Sequence, residues 1–334
     1  MDQSFKPVWR LVGAGVVLAL VSTGMAAQDA AKPTSPSAQR SRRTPWGHPD
    51  LQGAWTNTTT TPLERPATFA GTATLTAEQT AQLDAQAASA VDGPPAPGDP
   101  GAYNYFWFER GKQSTQASLI IDPPDGRLPP LTPAGDARRK ELLALRVEDG
   151  GRKPRSYEDF DTYDRCITRA LPGAMMPGFY NHNYEIFQSP HYVAILVEMI
   201  HDARIIPLDG RPHVSQRNRH WLGDSRGHWE GDTLVVETTN FKGGAEERGM
   251  ANTVVGGSEN MRLVERFTRV NTNTIDYRFT VTDPDVFTRP WTVSAPMTTL
   301  NGRVYEYACH EGNYSLMNML KGARAEDQSN GSPK

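Results

Sequence analysis

The chain of 334 residues carries 35 basic and 38 acidic side chains, a formal charge of −3. A weakly acidic chain without a basic block has no electrostatic attraction to nucleic acid or to an anionic membrane surface, so neither is expected as a partner. Beyond the N-terminal apolar run, no stretch reaches the ~20 apolar residues that a membrane span needs.

Lys6 and Arg10 precede an apolar run from Leu11 to Val21, followed by the small residues Gly24, Ala26 and Ala27. That order of charged, apolar and small segments predicts a secretory leader over 1–27, with an uncleaved anchor as the alternative. Removing Asp2, Lys6 and Arg10 takes away one acid and two bases and moves the charge from −3 to −4. Residues 28–45, rich in Ala, Ser, Pro and Arg, predict a disordered lead-in. The rest, 46–325, predicts a single domain, with a helix-and-loop wrap over 46–165 and a β core over 166–325. Cys166 and Cys309 are the only cysteines. In an exported protein, periplasmic or secreted, an even pair reads as a disulfide, and two separate buried thiols are the alternative.

Thr76 and Gln79 form a capping-box pattern before TAQLDAQAASAV, which predicts a helix. Asp92 to Gly101 must be loop, and a short strand is expected in SLIIDPP from Ser118. Thr132-Pro133 fits the cap and first position of a helix running through Leu145. Ser156 is placed to cap a further helix with Phe160, Tyr163 and Ile167 on one face. From about residue 183 the period becomes two. Val193, Ile195 and Val197 alternate with Tyr192, Ala194 and Leu196, and both sets are apolar, which predicts a central strand. HWEGDTLVVETTNF reads as a strand entered through a Glu-Gly-Asp turn, and LVERFTRV and IDYRFTV read as a hairpin joined by Asn271 to Thr274. WTVSAPM and VYEYACH add two more strands. Successive strands on short turns predict a mainly β fold, an antiparallel barrel or strongly curved sheet with the N-terminal helices and loops packed around it.

The blocks DLQGAWTNTTTTPLERP, RCITRALPGAMMPGFYN, WLGDSRGHWEGDTLVVETTNF and YEYACHEGNY resemble those of a family of exported bacterial proteins. The resemblance covers most of the chain after the leader and implies a shared fold; it implies no reaction. Gly53-Ala54-Trp55 is similar to the G-x-W that opens the first strand of lipocalin-like barrels, a resemblance carried by those residues alone.

The segment Tyr184 to Leu208 sets Glu198, His201, Asp202 and Arg204 among β-branched and aromatic residues. Buried charges are costly unless paired or used, so this segment is the first candidate site. On a regular strand Glu198, Asp202 and Arg204 share a face, and His201 points the other way. Two carboxylates held apart in pKa by burial and one guanidinium would supply a general acid and a general base. The alternative is a structural ion pair. A bulge after Met199 would exchange Asp202 for His201.

Asn181, His182, Asn183 and Tyr184 bring an imidazole, two amides and a phenol to a strand mouth, where they would orient a polar ligand. An accessible His182 at that rim is the preferred acid/base histidine; a turn of self-bonded asparagines is the alternative. Gly223-Asp224-Ser225-Arg226-Gly227 matches G-x-S-x-G without the helix that a nucleophile elbow requires, so Asp224 and Arg226 are expected to fix a loop or touch a ligand at the rim. His310 and Glu311, next to Cys309, are further ligand-binding candidates. His182, His201, His228 and His310 have no metal-site spacing and no nucleotide-binding glycine motif is present, so neither a metal nor an organic cofactor is expected. Tyr103, Tyr105, Phe106, Trp107 and Phe108 form an aromatic cluster suited to a lid or, more simply, a hydrophobic plug. The expected function is cofactor-free acid/base chemistry, as a lyase, isomerase or hydrolase, on a small organic or carbohydrate-like molecule. The alternative is a carrier that binds such a ligand unchanged.

Overall fold

The structure, a computed structural model, describes residues 42–89, 108–145, 153–243 and 256–329. The predicted leader, most of the lead-in, and Tyr103, Tyr105, Phe106 and Trp107 lie outside the described residues.

Period-two alternation builds the molecule. In chain order the strands are β1 (Gly53–Thr56), β2 (Ile120–Asp122), β3 (Asn183–Gln188), β4 (Tyr192–Val197), β5 (Ala203–Pro207) and β6 (Asp224–Glu230). Then follow β7 (Thr233–Thr239), β8 (Arg262–Asn271), β9 (Thr274–Thr282), β10 (Trp291–Ser294) and β11 (Met297–Thr299). The main path of the antiparallel sheet runs β5-β4-β3-β1-β11-β9-β8-β7-β6, and β10 and β2 branch from β9. The sheet curls into a nearly closed barrel, so the chain is mainly β, as expected. Alternate residues along each strand point inward and are sealed. Trp55, Tyr184, Ile195, Phe267, Tyr277 and Phe279 are among those that fill the interior as one continuous core.

The two ends of that path meet without pairing. β5 and β6 lie side by side, yet neither has a ladder partner on the facing edge. Gly227 of β6 permits the approach, because a Cβ there would strike Leu208 at 2.7 Å and Ile206 at 2.9 Å. Side-chain packing therefore closes the barrel where hydrogen bonds do not.

Outside the sheet, α1 (Ala77–Ser89) starts on the predicted capping box. The Thr76 N–H donates to Gln79 Oε1 at 2.8 Å, and the Gln79 N–H donates to Thr76 Oγ1 at 3.2 Å. α2 (Pro133–Leu145) starts at Thr132 as expected, with Thr132 Oγ1 accepting from the Gly135 N–H. The helix expected after Ser156 is only a 3-10 turn, Tyr157–Asp159, closed by its own capping box. One further expectation holds in part and another is corrected. β4 is flanked by β3 and β5, as an interior strand is, but Tyr192 is 39% exposed, so only the face of Val193, Ile195 and Val197 is sealed. VYEYACH forms no strand; a helix, α3 (Ser315–Ser329), follows it instead. No helix among the described residues is long and apolar enough to cross a membrane.

Cys166 and Cys309 are joined in a disulfide across 143 positions. It ties the irregular chain after β11 to the segment preceding β3.

Candidate functional site

The segment 162–182 is irregular, and its middle, 170–176, is deeply buried. Leu171, Ala174, Met175 and Met176 join the core, and Asn57 Nδ2 reaches over to donate to the Met175 carbonyl at 2.9 Å. Cys166, Ala170 and Asn181 all adopt left-handed backbone, at φ of 55°, 52° and 51°. Non-glycine residues hold such angles only where their surroundings over-determine them. Here the disulfide at Cys166 contributes, as does Thr168 Oγ1, which accepts from the Ala170 N–H at 3.1 Å. The segment thus plugs the end of the barrel where β1 leaves and β3 enters.

Between this plug and residues 59–63 opens a cleft of about 310 Å³. Tyr163, Phe179 and Tyr180 wall it together with Leu63, Met176 and Met199, and Arg169 supplies its charge. Phe108, the described member of the aromatic cluster, packs edge-on against Phe179 with 4.6 Å between centroids. His182 forms part of the floor, and its position corrects the sequence reading. It is 2% exposed, not accessible, and burial followed by the nearby Arg169 charge pushes its pKa down to about 3. Arg169 Nη1 donates to Nε2 at 2.6 Å, since a guanidinium can only donate, and the remaining ring proton on Nδ1 goes to the Met176 carbonyl at 2.8 Å. Both ring nitrogens are committed. A neutral imidazole used in this way holds an arginine; it has no free atom for proton transfer at neutral pH. Arg169 also stacks on Tyr163, 5.1 Å from the ring centroid. Gly178 passes directly over the imidazole, so that any Cβ there would enter the ring.

The charges of the Tyr184–Leu208 segment do not form one set. β4 stops at Val197, and Ile200 and His201 turn the chain with φ of 62° and 48°, which ends the alternation on which the shared face depended. Arg204 enters the barrel from β5 and pairs through both terminal nitrogens with Glu265 of β8, and Tyr277 donates to the same carboxylate at 2.9 Å. The Arg204 and Glu265 side chains are 2% and 0% exposed. Burial alone would lower the Arg204 pKa, but Glu265 more than offsets it and the pKa is raised. This is the structural ion pair, and the sequence reading did not supply its partner. Glu265 stands between Leu263 and Phe267 at an inward position of β8, so the alternation contained the signal.

Glu198 lies elsewhere. Asn183 Nδ2 donates to Glu198 Oε2 at 2.7 Å and to Glu109 Oε1 at 2.9 Å, and the Tyr305 N–H donates to Glu198 Oε1 at 2.9 Å. Burial, with the neighbouring Glu198 as a lesser cause, raises the Glu109 carboxyl above its ordinary range. Asp202 accepts from Thr168 Oγ1 at 2.7 Å, and burial raises it too. His201 bonds the Tyr307 carbonyl at 2.8 Å, and Tyr184 donates to Asn57 Oδ1 inside the core. The expected co-facial set of Glu198, Asp202 and Arg204 is therefore divided among three surroundings.

Asp224 ties the chain at 213–214 to β6. It accepts from His213 Nδ1 at 2.9 Å, the Val214 N–H at 3.0 Å and Arg226 Nη1 at 2.6 Å. Burial would raise its pKa, but these donors more than offset that and lower it. Ser225 lies within β6 and hydrogen-bonds Thr238 across the β6–β7 pair at 2.8 Å, without an imidazole to activate it. His310 and Glu311 are exposed, and Glu311 lines a shallow depression beside the disulfide. His228 pairs with Glu230 at 3.2 Å. Among the described residues no three His, Cys, Asp or Glu side chains gather where they could hold a metal ion.

No model of a known protein family, no curated protein and no solved structure matches the chain.

Proposed function

We propose that the protein binds a small, ring-bearing organic molecule in the Arg169 cleft and releases it unchanged. The supporting observation is the commitment of both His182 nitrogens to fixing Arg169 against aromatic walls. A concave, largely apolar surface with one oriented cation is how small-ligand sites combine affinity with orientation. Tyr163, Phe179 and Tyr180 offer stacking faces for a ring, and Arg169 favours a ligand oxygen or carboxylate at one end. The disulfide supports a place of work outside the reducing cytoplasm, periplasmic or secreted, in keeping with the leader-like N-terminus and the resemblance to exported bacterial proteins.

A thermal-shift screen of ring-bearing acids and alcohols tests the reading. Compounds that stabilise the parent should lose at least tenfold in affinity with Arg169→Met and with Tyr180→Leu. If the hits bind both variants as tightly as the parent, the cleft is not the site.

Cofactor-free acid/base chemistry is the second reading, and one observation favours it. Glu109, whose N–H donates to the Phe179 carbonyl of the cleft wall at 2.8 Å, keeps a raised carboxyl with Oε2 unpartnered. In that case a hit would be converted by the parent and left intact by Glu109→Gln. Conversion unaffected by that substitution would remove Glu109 from the chemistry.

A further inference from the structure

A second cavity, of about 450 Å³, shares no lining residue with the Arg169 cleft. The deepest residue of its lining is Arg65. This residue is 6% exposed, its Nε is buried without a partner, and its guanidinium makes no hydrogen bond or ion pair among the described residues. A cation removed from water without a counter-ion is costly, and proteins ordinarily pair it.

The neighbouring acids do not pair it. Glu64 Oε1 accepts from the Leu128 N–H at 2.9 Å, and Asp125 Oδ1 accepts from the Arg127 N–H at 3.1 Å. Arg65 is also clamped in place. Its backbone N–H donates to the Gly126 carbonyl at 2.8 Å, and the Gly126 N–H closes the turn on the Pro123 carbonyl at 2.9 Å. Gly126 sits at φ +71°, and a Cβ added there would fall 2.9 Å from Arg65 Nε and 3.0 Å from Arg65 Cβ, so the glycine lets the turn lie close against the arginine stem. The backbone of Arg65 is therefore fixed beside the turn, and its buried side chain lines the cavity. Arg127 lines the cavity as a second cation, and Pro66, Ala67, Ala70 and Pro124 make its wall small and apolar.

We infer that this cavity is a binding site for a small organic monocarboxylate, held with its charged end on Arg65. A carboxylate matches the guanidinium fork through two parallel hydrogen bonds. The apolar wall takes the organic body, and the volume falls within the ~300–1,000 Å³ usual for ligand pockets. Phosphate suits it less well. It lacks an apolar body, and Asp125 at the lining would repel its second charge.

Fluorescence titration with 2-naphthoate tests the site, using the full chain and checking each variant by circular dichroism. Because the probe is itself a ring-bearing acid, the titrations are run in the Arg169→Met background, where the other cleft is weakened and saturable binding reports this cavity. There Arg65→Met should weaken binding at least tenfold, and Arg127→Gln by a smaller factor. Added salt should weaken binding, and the neutral 2-naphthylmethanol should bind at least tenfold less tightly than the acid. Should Arg65→Met fail to fold, Ala70→Trp blocks the cavity from an exposed position and should abolish the same binding. Equal affinity in folded Arg65→Met or Ala70→Trp, equal affinity for acid and alcohol, or no saturable binding in the Arg169→Met background overturns the inference. Loss of probe binding with Arg169→Met alone assigns it to the other cleft and likewise overturns this one.

Discussion

Among single residues, Arg204 and Glu265 carry a large stake in stability. Removing one partner strands the other charge where side-chain exposure is 2% or less. Arg204→Met should therefore cost about 3–5 kcal/mol in urea unfolding, and adding Glu265→Gln should recover much of that loss. An equal cost for the single and double variants would show that packing, not charge, dominates there. His182 gives a pH signature. Its pKa falls to about 3 in the folded chain against 6.5 in a free imidazole, so between those values the unfolded state binds the extra proton. Its contribution to stability is complete above about pH 6.5 and is lost at up to about 1.4 kcal/mol per unit as pH falls. His182→Gln cannot take up that proton, so the stability gap between parent and variant should narrow from pH 7 to pH 4. A gap independent of pH would mean that His182 is not held neutral. These side chains are plain in the sequence; their roles are less so. Glu265 can be read from its inward position between Leu263 and Phe267. Arg169 has no comparable signal, because it lies in an irregular segment without a period.

Among elements, legibility follows the source of the information. The caps of α1 and α2 are encoded by neighbours three residues apart, and the structure forms both at Thr76 and Thr132. The alternation of β7, β8 and β9 is equally local and equally plain. The alternation breaks between β4 and β5, where Ile200 and His201 turn through left-handed backbone without a glycine to announce it. The sequence reading fails at VYEYACH, whose strand-like composition is overridden by attachment to Cys166 and by packing of Tyr307 on Tyr180, 6.2 Å between centroids. Gly178 offers a test of the plug as an element. Gly178→Ala must displace His182, and with it Arg169, so it should cost about 1–3 kcal/mol and weaken ligands of the cleft. Unchanged melting and binding would show that the plug yields without cost.

For the molecule as a whole, the disulfide is the longest covalent constraint among the described residues. In the chain-entropy account a loop of 143 positions stabilises the fold by about 3–5 kcal/mol, which reduction should remove. Urea unfolding with and without a reductant measures it, and an unchanged midpoint would show that the reduced chain keeps the same compact denatured state.

The barrel's closure has a different consequence. A fully bonded ring would have no preferred place to begin opening, but this one has a clasp. Parting β5 from β6 gives up the packing of Gly227 against Ile206 and Leu208 and breaks no ladder hydrogen bond. Parting β8 from β9 would break the register that runs from Arg262↔Thr282 to Asn271↔Thr274. Local opening therefore starts at the clasp, and the amides on the facing edges of β5 and β6 should exchange with deuterium well before those between β8 and β9. The same geometry gives the barrel room to breathe: its circumference can widen at one seam while every hydrogen-bonded strand pair stays intact.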